Sequence, residues 1–312
     1  MILLSVVALI CVFTWTAAAV LPPLLWPIAG RMVGAIHTRL SRSNSWLGRY
    51  VPEGWAAILS EGPLLAVLAA ALIFGVWAFF GLLEDVVMGD PIVGLDHALY
   101  QRLQSLRQPG NDAVFVALTE LGDSRVVVPV ALAALAGLIW SRRWRAAEFL
   151  ILAVAGAALF VGGIKHVIHR PRPVDIYDGV AEYSFPSGHA AMSMVLYGAL
   201  AVLLIQASPA RCRRLIGWAA LTLILMISFS RLYLGAHWLS DVLAGLAFGV
   251  AWLAALAIVY LRGSPKPVPF KPFAALILAS VVAAGAVHMV YDLANETGRY
   301  AIAPQPATPR AP

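Results

Sequence analysis

The sequence predicts an all-α integral membrane protein with about eight transmembrane helices, and three observations carry that prediction. Of its 312 residues, 61% are hydrophobic and 12% are charged. That is about half the charge of an average soluble domain, and more apolar surface than a soluble exterior of this size can accommodate. The apolar residues fall into runs long enough to cross the ~30 Å hydrocarbon layer of a bilayer. The basic residues collect in short clusters between those runs, as in cytoplasmic membrane loops. The same dispersal argues against nucleic acid as a partner, because the net charge of +6 never forms one patch.

The first run covers about residues 2–29 and starts without Lys or Arg. A secretory signal needs a basic start and a short apolar stretch, so a retained helix is expected, interrupted by Pro22, Pro23 and Pro27. A basic loop follows at 31–49, with Arg31, Arg39, Arg42 and Arg49 and no acid. The second run spans about 58–83. An acidic stretch with Glu84, Asp85, Asp90, Asp96, Asp112, Glu120 and Asp123 comes next. Its part from Leu95 to Leu121, broken at Pro109-Gly110, reads as amphipathic and surface-lying.

The remaining runs fall at about 126–140, 147–168, 189–207, 215–236, 239–261 and 272–291. Basic loops at 141–146, 208–214 and 262–271 share one side with 31–49, and the acidic or mixed loops share the other. The positive-inside rule makes the basic side cytoplasmic and puts both termini outside. A Pro/Ala-rich tail after Arg299 is expected to be disordered. Cys11 in an apolar run and Cys212 in a basic loop predict neither a disulfide nor a metal site.

Ionisable groups at helix ends on one membrane face are the informative feature. Lys165 closes the fourth run, and Arg172-Pro173 follows after six residues. Pro186-Ser187-Gly188-His189 opens the fifth run. Ser230-Arg231, then His237 after five residues and Asp241 after three more, straddle the sixth and seventh runs. The topology brings all three groups out on the outer face. Their chemistry suits phosphoryl transfer. Lys165, Arg172 and Arg231 offer positive charge, the arginines through planar forks of donors. Ser187-Gly188 precede a helix start, where free N–H groups and the helix dipole favour an anion. Two histidines can supply a nucleophile and a proton donor. If 237–241 is helical, His237 and Asp241 share a face, and the carboxylate can hold the imidazole tautomer.

Lys-x6-Arg-Pro, Pro-Ser-Gly-His and Ser-Arg-x5-His-x3-Asp together resemble the tripartite signature of the type 2 phosphatidic acid phosphatases, with every position present. That superfamily includes lipid phosphate phosphatases, undecaprenyl-diphosphatases and vanadium haloperoxidases. The resemblance covers about residues 58–261 and implies a six-helix phosphatase core, with one extra transmembrane helix at each end. The expected division is 1–50 for the first helix and basic loop, 51–262 for the phosphatase domain and 263–312 for the last helix and tail.

The resemblance also implies roles. His237 attacks phosphorus to form a phosphohistidine, Asp241 orients it, and His189 protonates the leaving oxygen and later activates water. Lys165, Arg172, Arg231, Ser187 and the Gly188 N–H bind phosphoryl oxygens. No metal and no cofactor are implied, because cationic side chains balance the transition-state charge.

A site where helix ends meet the headgroup layer takes a lipid phosphate from the bilayer. The expected substrates are undecaprenyl diphosphate first, then phosphatidate and phosphatidylglycerophosphate, hydrolysed at the outer face of a cytoplasmic membrane. Two other readings stay open: a phosphotransferase passing the phosphoryl group to another hydroxyl, and a transporter binding phosphate without chemistry. Oligomeric state is not legible. His166 and His169, at i, i+3, lack a carboxylate or cysteine pattern and read as loop-facing neighbours. His37, His97 and His288 read as structural. Glu61 and Glu148 read as interface capping, and Glu182 and Tyr183 as shaping the approach to the site.

Overall fold

The computed structural model describes residues 62–89, 91–174 and 182–300. The first apolar run, the basic loop at 31–49, Glu61, Asp90 and the tail from 301 onward lie outside them. Among the described residues there are nine helices and no strand. They are α1 (Gly62–Met88), α2 (Pro91–Gln104), α3 (Pro109–Glu120), α4 (Ser124–Trp140), α5 (Trp144–Ile168), α6 (Gly188–Ala207), α7 (Ala210–Tyr233), α8 (Leu239–Arg262) and α9 (Phe270–Arg299).

Among the described residues, seven spans are long and apolar enough to cross a membrane, with α3 and α4 together supplying one of them, Gly110–Trp140. This corrects the expected surface segment at Leu95–Leu121. The chain does break at Pro109, but only α2 remains outside a span. Phe115, Val116, Thr119 and Glu120 of α3 are buried, in contact with α7 and α9. The physical reason is length. The run at 126–140 alone is short for a bilayer, at 1.5 Å of rise per residue, and α3 supplies the missing turns.

The break between α3 and α4 is capped on both sides. Tyr197 Oη on α6 donates to the Leu121 carbonyl at 2.5 Å, and Asp123 accepts from the Arg125 N–H at 2.8 Å as the N-cap of α4. α6 and α8 form the centre of the bundle, with 61% and 56% of their apolar windows buried, whereas the window of α1 is 11% buried. Ile73, Phe74, Trp77 and Phe80 of α1 face outward, as a helix facing lipid should.

The basic clusters at 141–146, 208–214 and 262–271 gather at one end of the bundle. Arg145 donates to the Gly263 carbonyl at 2.7 Å. Gln206 accepts from Tyr260 Oη at 3.0 Å and donates to the Pro265 carbonyl at 3.3 Å. The C-terminus of α5, the N-termini of α6 and α8 and the C-terminus of α7 meet at the other end. The charge asymmetry read from the sequence is therefore an asymmetry of the folded bundle.

The last helix is longer than expected and integrated into the bundle. α9 runs to Arg299 and packs on α3 and α4. Tyr300, placed by the sequence in a disordered tail, is 3% exposed and clusters with Phe115, Val116 and Tyr233. Its ring fills an apolar gap beside α3 and α7, which composition around it does not advertise.

Candidate active site

The chain reaches the site from the end of α5, the start of α6 and the end of α7. α5 ends where His169 turns left-handed (φ 49°) and its N–H bonds back to the Lys165 carbonyl. The turn sends Arg170–Arg172 back across the bundle end. α6 starts at Ser187, whose Oγ caps the helix towards the Ala190 N–H and whose N–H donates to the Asp241 carbonyl at 2.9 Å. α7 ends at Tyr233, and Gly235 (φ +71°) reverses the chain towards His237. A Cβ there would meet Tyr100 and Gln104 at 3.0 Å in a left-handed backbone, so glycine is required.

Lys165, Arg172, Gly188, His189 and His237 line one pocket of about 430 Å³. Its other walls are Gly122, Asp123 and Ser124 at the polar end, and Val127, Val154, Ala158, Val161 and Met192 along the apolar one. Ser187, Arg231 and Asp241 are not among the lining residues. Ser187 Oγ faces the Ala190 N–H at 3.5 Å as the cap of α6, Asp241 stands behind His237, and Arg231 is fully buried. Arg231 Nη1 donates to Thr119 Oγ1 and Tyr300 Oη, both at 2.8 Å.

His237 is held between an acid and a base. Arg172 Nη1 donates to its Nε2 at 2.9 Å and to the Ala236 carbonyl at 2.6 Å. An accepting Nε2 leaves the proton on Nδ1, which faces Asp241 Oδ2 at 3.4 Å, a loose contact. Burial pushes the His237 imidazole well below its ordinary value, and the charges of Arg172, Arg231, Lys165 and His189 push the same way. The ring is therefore neutral near pH 7, with a basic Nε2 turned to the pocket. Across it, His189 Nε2 lies 3.8 Å from Asp123 Oδ2.

Behind His237 is a buried polar network that the sequence did not disclose. Arg170 donates from Nη1 to Asp241 Oδ1 (2.6 Å) and Ser240 Oγ (2.7 Å), and from Nη2 to Asp96 Oδ2 (2.7 Å). Asp96 also accepts from the Ser240 N–H and Oγ, and Asp241 Oδ2 accepts from the Trp238 N–H at 3.0 Å. The one available signal was Asp96, an acid within the apolar part of α2. Arg170, between His169 and Pro171, occupies no motif position. Asp123, Thr119 and Tyr300 carried no signal of their own.

Of the residues given other readings, Tyr183 reaches the site through its carbonyl, which accepts from Lys165 Nζ, and its ring stands edge-on to His169 at 4.4 Å. His97 packs against Trp238. His288 pairs with the buried Glu120. Glu120, Asp123 and His288 bring three potential ligand atoms within 4.8 Å of one another. All three are already engaged, Glu120 with His288 and Asp123 as the α4 cap facing His189.

Residues 146–264 match the family model described as the PAP2 superfamily. The chain carries a PAP2 superfamily domain. The match spans α5 to α8 and so contains every candidate site residue predicted from the sequence. Phosphatidylglycerophosphatase B of Bacillus subtilis (strain 168) is 28% identical over 176 residues, 55% of this chain and 86% of the relative. An undecaprenyl-diphosphatase of Sulfolobus acidocaldarius is 27% identical over 184 residues, 55% of this chain and 82% of the relative. The crystal structure of a transmembrane PAP2-type phosphatidylglycerolphosphate phosphatase from Bacillus subtilis has the same fold, with a TM-score of 0.55 and 24% identity. It is matched over 62% of this chain and 98% of that one. The PAP2 match begins in α5 and ends before α9.

Proposed function

We propose that this multi-pass membrane protein is a phosphatase that hydrolyses a lipid-linked phosphate or diphosphate through a phosphohistidine at His237. The observation that carries the reading is the pocket itself. One end holds Lys165, Arg172, His189 and His237, and the wall below is Val127, Val154, Ala158, Val161 and Met192. A headgroup phosphate fits the cationic end while its tail continues along apolar side chains into the bilayer.

The chemistry runs in two displacements. His237 Nε2 attacks phosphorus as the bond from phosphorus to the lipid oxygen breaks, and His189 gives its proton to that oxygen. Asp241 stabilises the positive charge that develops on the His237 ring. His189, now neutral, takes a proton from water as the water oxygen attacks phosphorus. The N–P bond breaks, inorganic phosphate leaves and His237 is restored. Arg172 sits where the phosphate must approach, so its guanidinium exchanges the bond to Nε2 for one to a phosphoryl oxygen. Lys165, Arg231 and the Gly188 N–H complete the charge balance.

By the positive-inside rule, the basic loops at 141–146, 208–214 and 262–271 favour a cytoplasmic position for the opposite end of the bundle, which supports a pocket opening on the outer face of a cytoplasmic membrane. The testing experiment is phosphate release by purified wild-type protein in excess EDTA. The panel is undecaprenyl diphosphate, phosphatidylglycerophosphate, phosphatidate and water-soluble phosphate esters. Release from the lipids and not from the soluble esters is expected. Loss of activity in EDTA, or preference for the soluble esters, contradicts the reading.

A further inference from the structure

α9 lies outside the PAP2 match, yet it reaches the site from behind. Tyr300, immediately after it, is buried against Phe115 and Tyr233. Its hydroxyl accepts from Arg231 Nη1 at 2.8 Å, and its ring lies under the same guanidinium at 5.6 Å. Its carbonyl accepts from Arg107, which is itself paired with Asp112 of α3 at 2.8 Å. Thr119 Oγ1 of α3 takes the second bond from the same Nη1. Earlier on α9, His288 is paired with Glu120, the neighbour of Thr119. The last helix is thus tied to α3 at two points, and Arg231 is gripped between them.

We propose that Tyr300 is a positioning residue. With Thr119 it holds the Arg231 guanidinium in place behind the pocket lining, so that its positive charge serves a phosphate bound beside His189 and His237, which makes α9 a working part of the site. The physical need is specific. A guanidinium carries five donors in a rigid plane, so its usefulness to an anion depends on how that plane is held. Arg231 is fully buried and stands at the end of α7, with its side chain reaching towards α3 and α9. Tyr300 takes one donor of Nη1 and Thr119 the other, which leaves the guanidinium with little freedom to rotate away. The proposal rests on the reading of Arg231 as a phosphate-binding group.

The test is a cycle of Tyr300→Phe, Arg231→Ala and the double variant in purified full-length protein. The readouts are kcat and KM for the best lipid substrate, calorimetric Kd for inorganic phosphate and thermal midpoint. Tyr300→Phe keeps the ring packing and is expected to weaken phosphate binding about tenfold, the scale of one hydrogen bond to a charged group. Its thermal midpoint should stay near wild type, and it should add nothing once Arg231 is gone. Thr119→Val, which removes the other acceptor, should shift Kd in the same direction and serves as the probe if Tyr300→Phe does not fold.

Wild-type Kd and kinetics in a folded Tyr300→Phe, or an equal loss in the Arg231→Ala background, overturns the proposal. So does wild-type phosphate binding by Thr119→Val. If Arg231→Ala itself binds phosphate like wild type, the assignment of Arg231 falls, and the proposal falls with it. That result is distinguishable because it does not involve Tyr300.

Discussion

Arg170 Nη1 lies 2.6 Å from Asp241 Oδ1, and the same guanidinium reaches Asp96 at 2.7 Å with Nη2. Asp96 and Asp241 are fully enclosed, and Arg170 is nearly so. One arginine therefore neutralises two buried carboxylates and aims one of them at His237.

This arrangement predicts the outcome of Arg170→Gln. Removing one partner of a buried ionic group typically costs about 3–5 kcal/mol, because the opposite charge is left uncompensated. Thermal denaturation in detergent should register a loss of that order. kcat should fall as well, since Asp241 loses the contact that sets its orientation. A folded Arg170→Gln with wild-type stability and kcat contradicts the positioning role.

The environment of His237 predicts its titration. Burial, reinforced by Arg172, Arg231, Lys165 and His189, holds the imidazole well below its usual range, whereas in the unfolded chain it titrates near 6.5 (about the free value). As pH falls below that value the unfolded state takes up the proton first, so this residue's effect is to lower stability as pH falls. In the folded free enzyme Nε2 stays unprotonated, so any acid limb of kcat/KM caused by His237 lies below pH 6.5. Histidine-labelled ¹⁵N NMR checks this directly. A neutral-ring signal for His237 at pH 6 is expected, and a midpoint at or above 6.5 contradicts it.

Helix packing beneath the site predicts a glycine requirement. A Cβ on Gly245 of α8 would fall 2.6 Å from the Ser187 carbonyl oxygen and 3.2 Å from Ala190 Cβ. Gly245→Ala must push the start of α6 away from α8, at a cost of about 1–3 kcal/mol. It also moves Gly188 and His189 relative to His237. Lower thermal stability together with a lower kcat/KM is expected. Unchanged values for both would show that the two helices are not in this contact.

The bundle and the pocket were legible to different depths. Span positions followed from apolar runs, and the site end followed from alternating loop charge, because both are properties of contiguous stretches. The motifs named Lys165, Arg172, Gly188, His189 and His237, which line the pocket, because each motif supplies a side chain at a helix end. The residues that hold those groups escaped notice because they come from elsewhere in the chain. Asp96 is 145 positions before Asp241, and Tyr300 is 69 after Arg231. A string of residues carries no sign of which loop arginine will fold back onto a buried carboxylate. The place of α3 in a membrane-length span was missed for a related reason, since an apolar stretch interrupted by Gly-Asp-Ser reads as a surface helix until α7 and α9 cover it.

The central claim is that the phosphoryl group passes through His237. The most direct measurement is a single-turnover reaction with ³²P-labelled lipid phosphate, quenched in alkali, in which phosphohistidine survives, and mapped by mass spectrometry. The account predicts label on His237 in the wild type, accumulation of that label in His189→Ala with a good leaving group, and none in His237→Ala. Label on another residue, or phosphate release at the wild-type rate by His237→Ala, would contradict it.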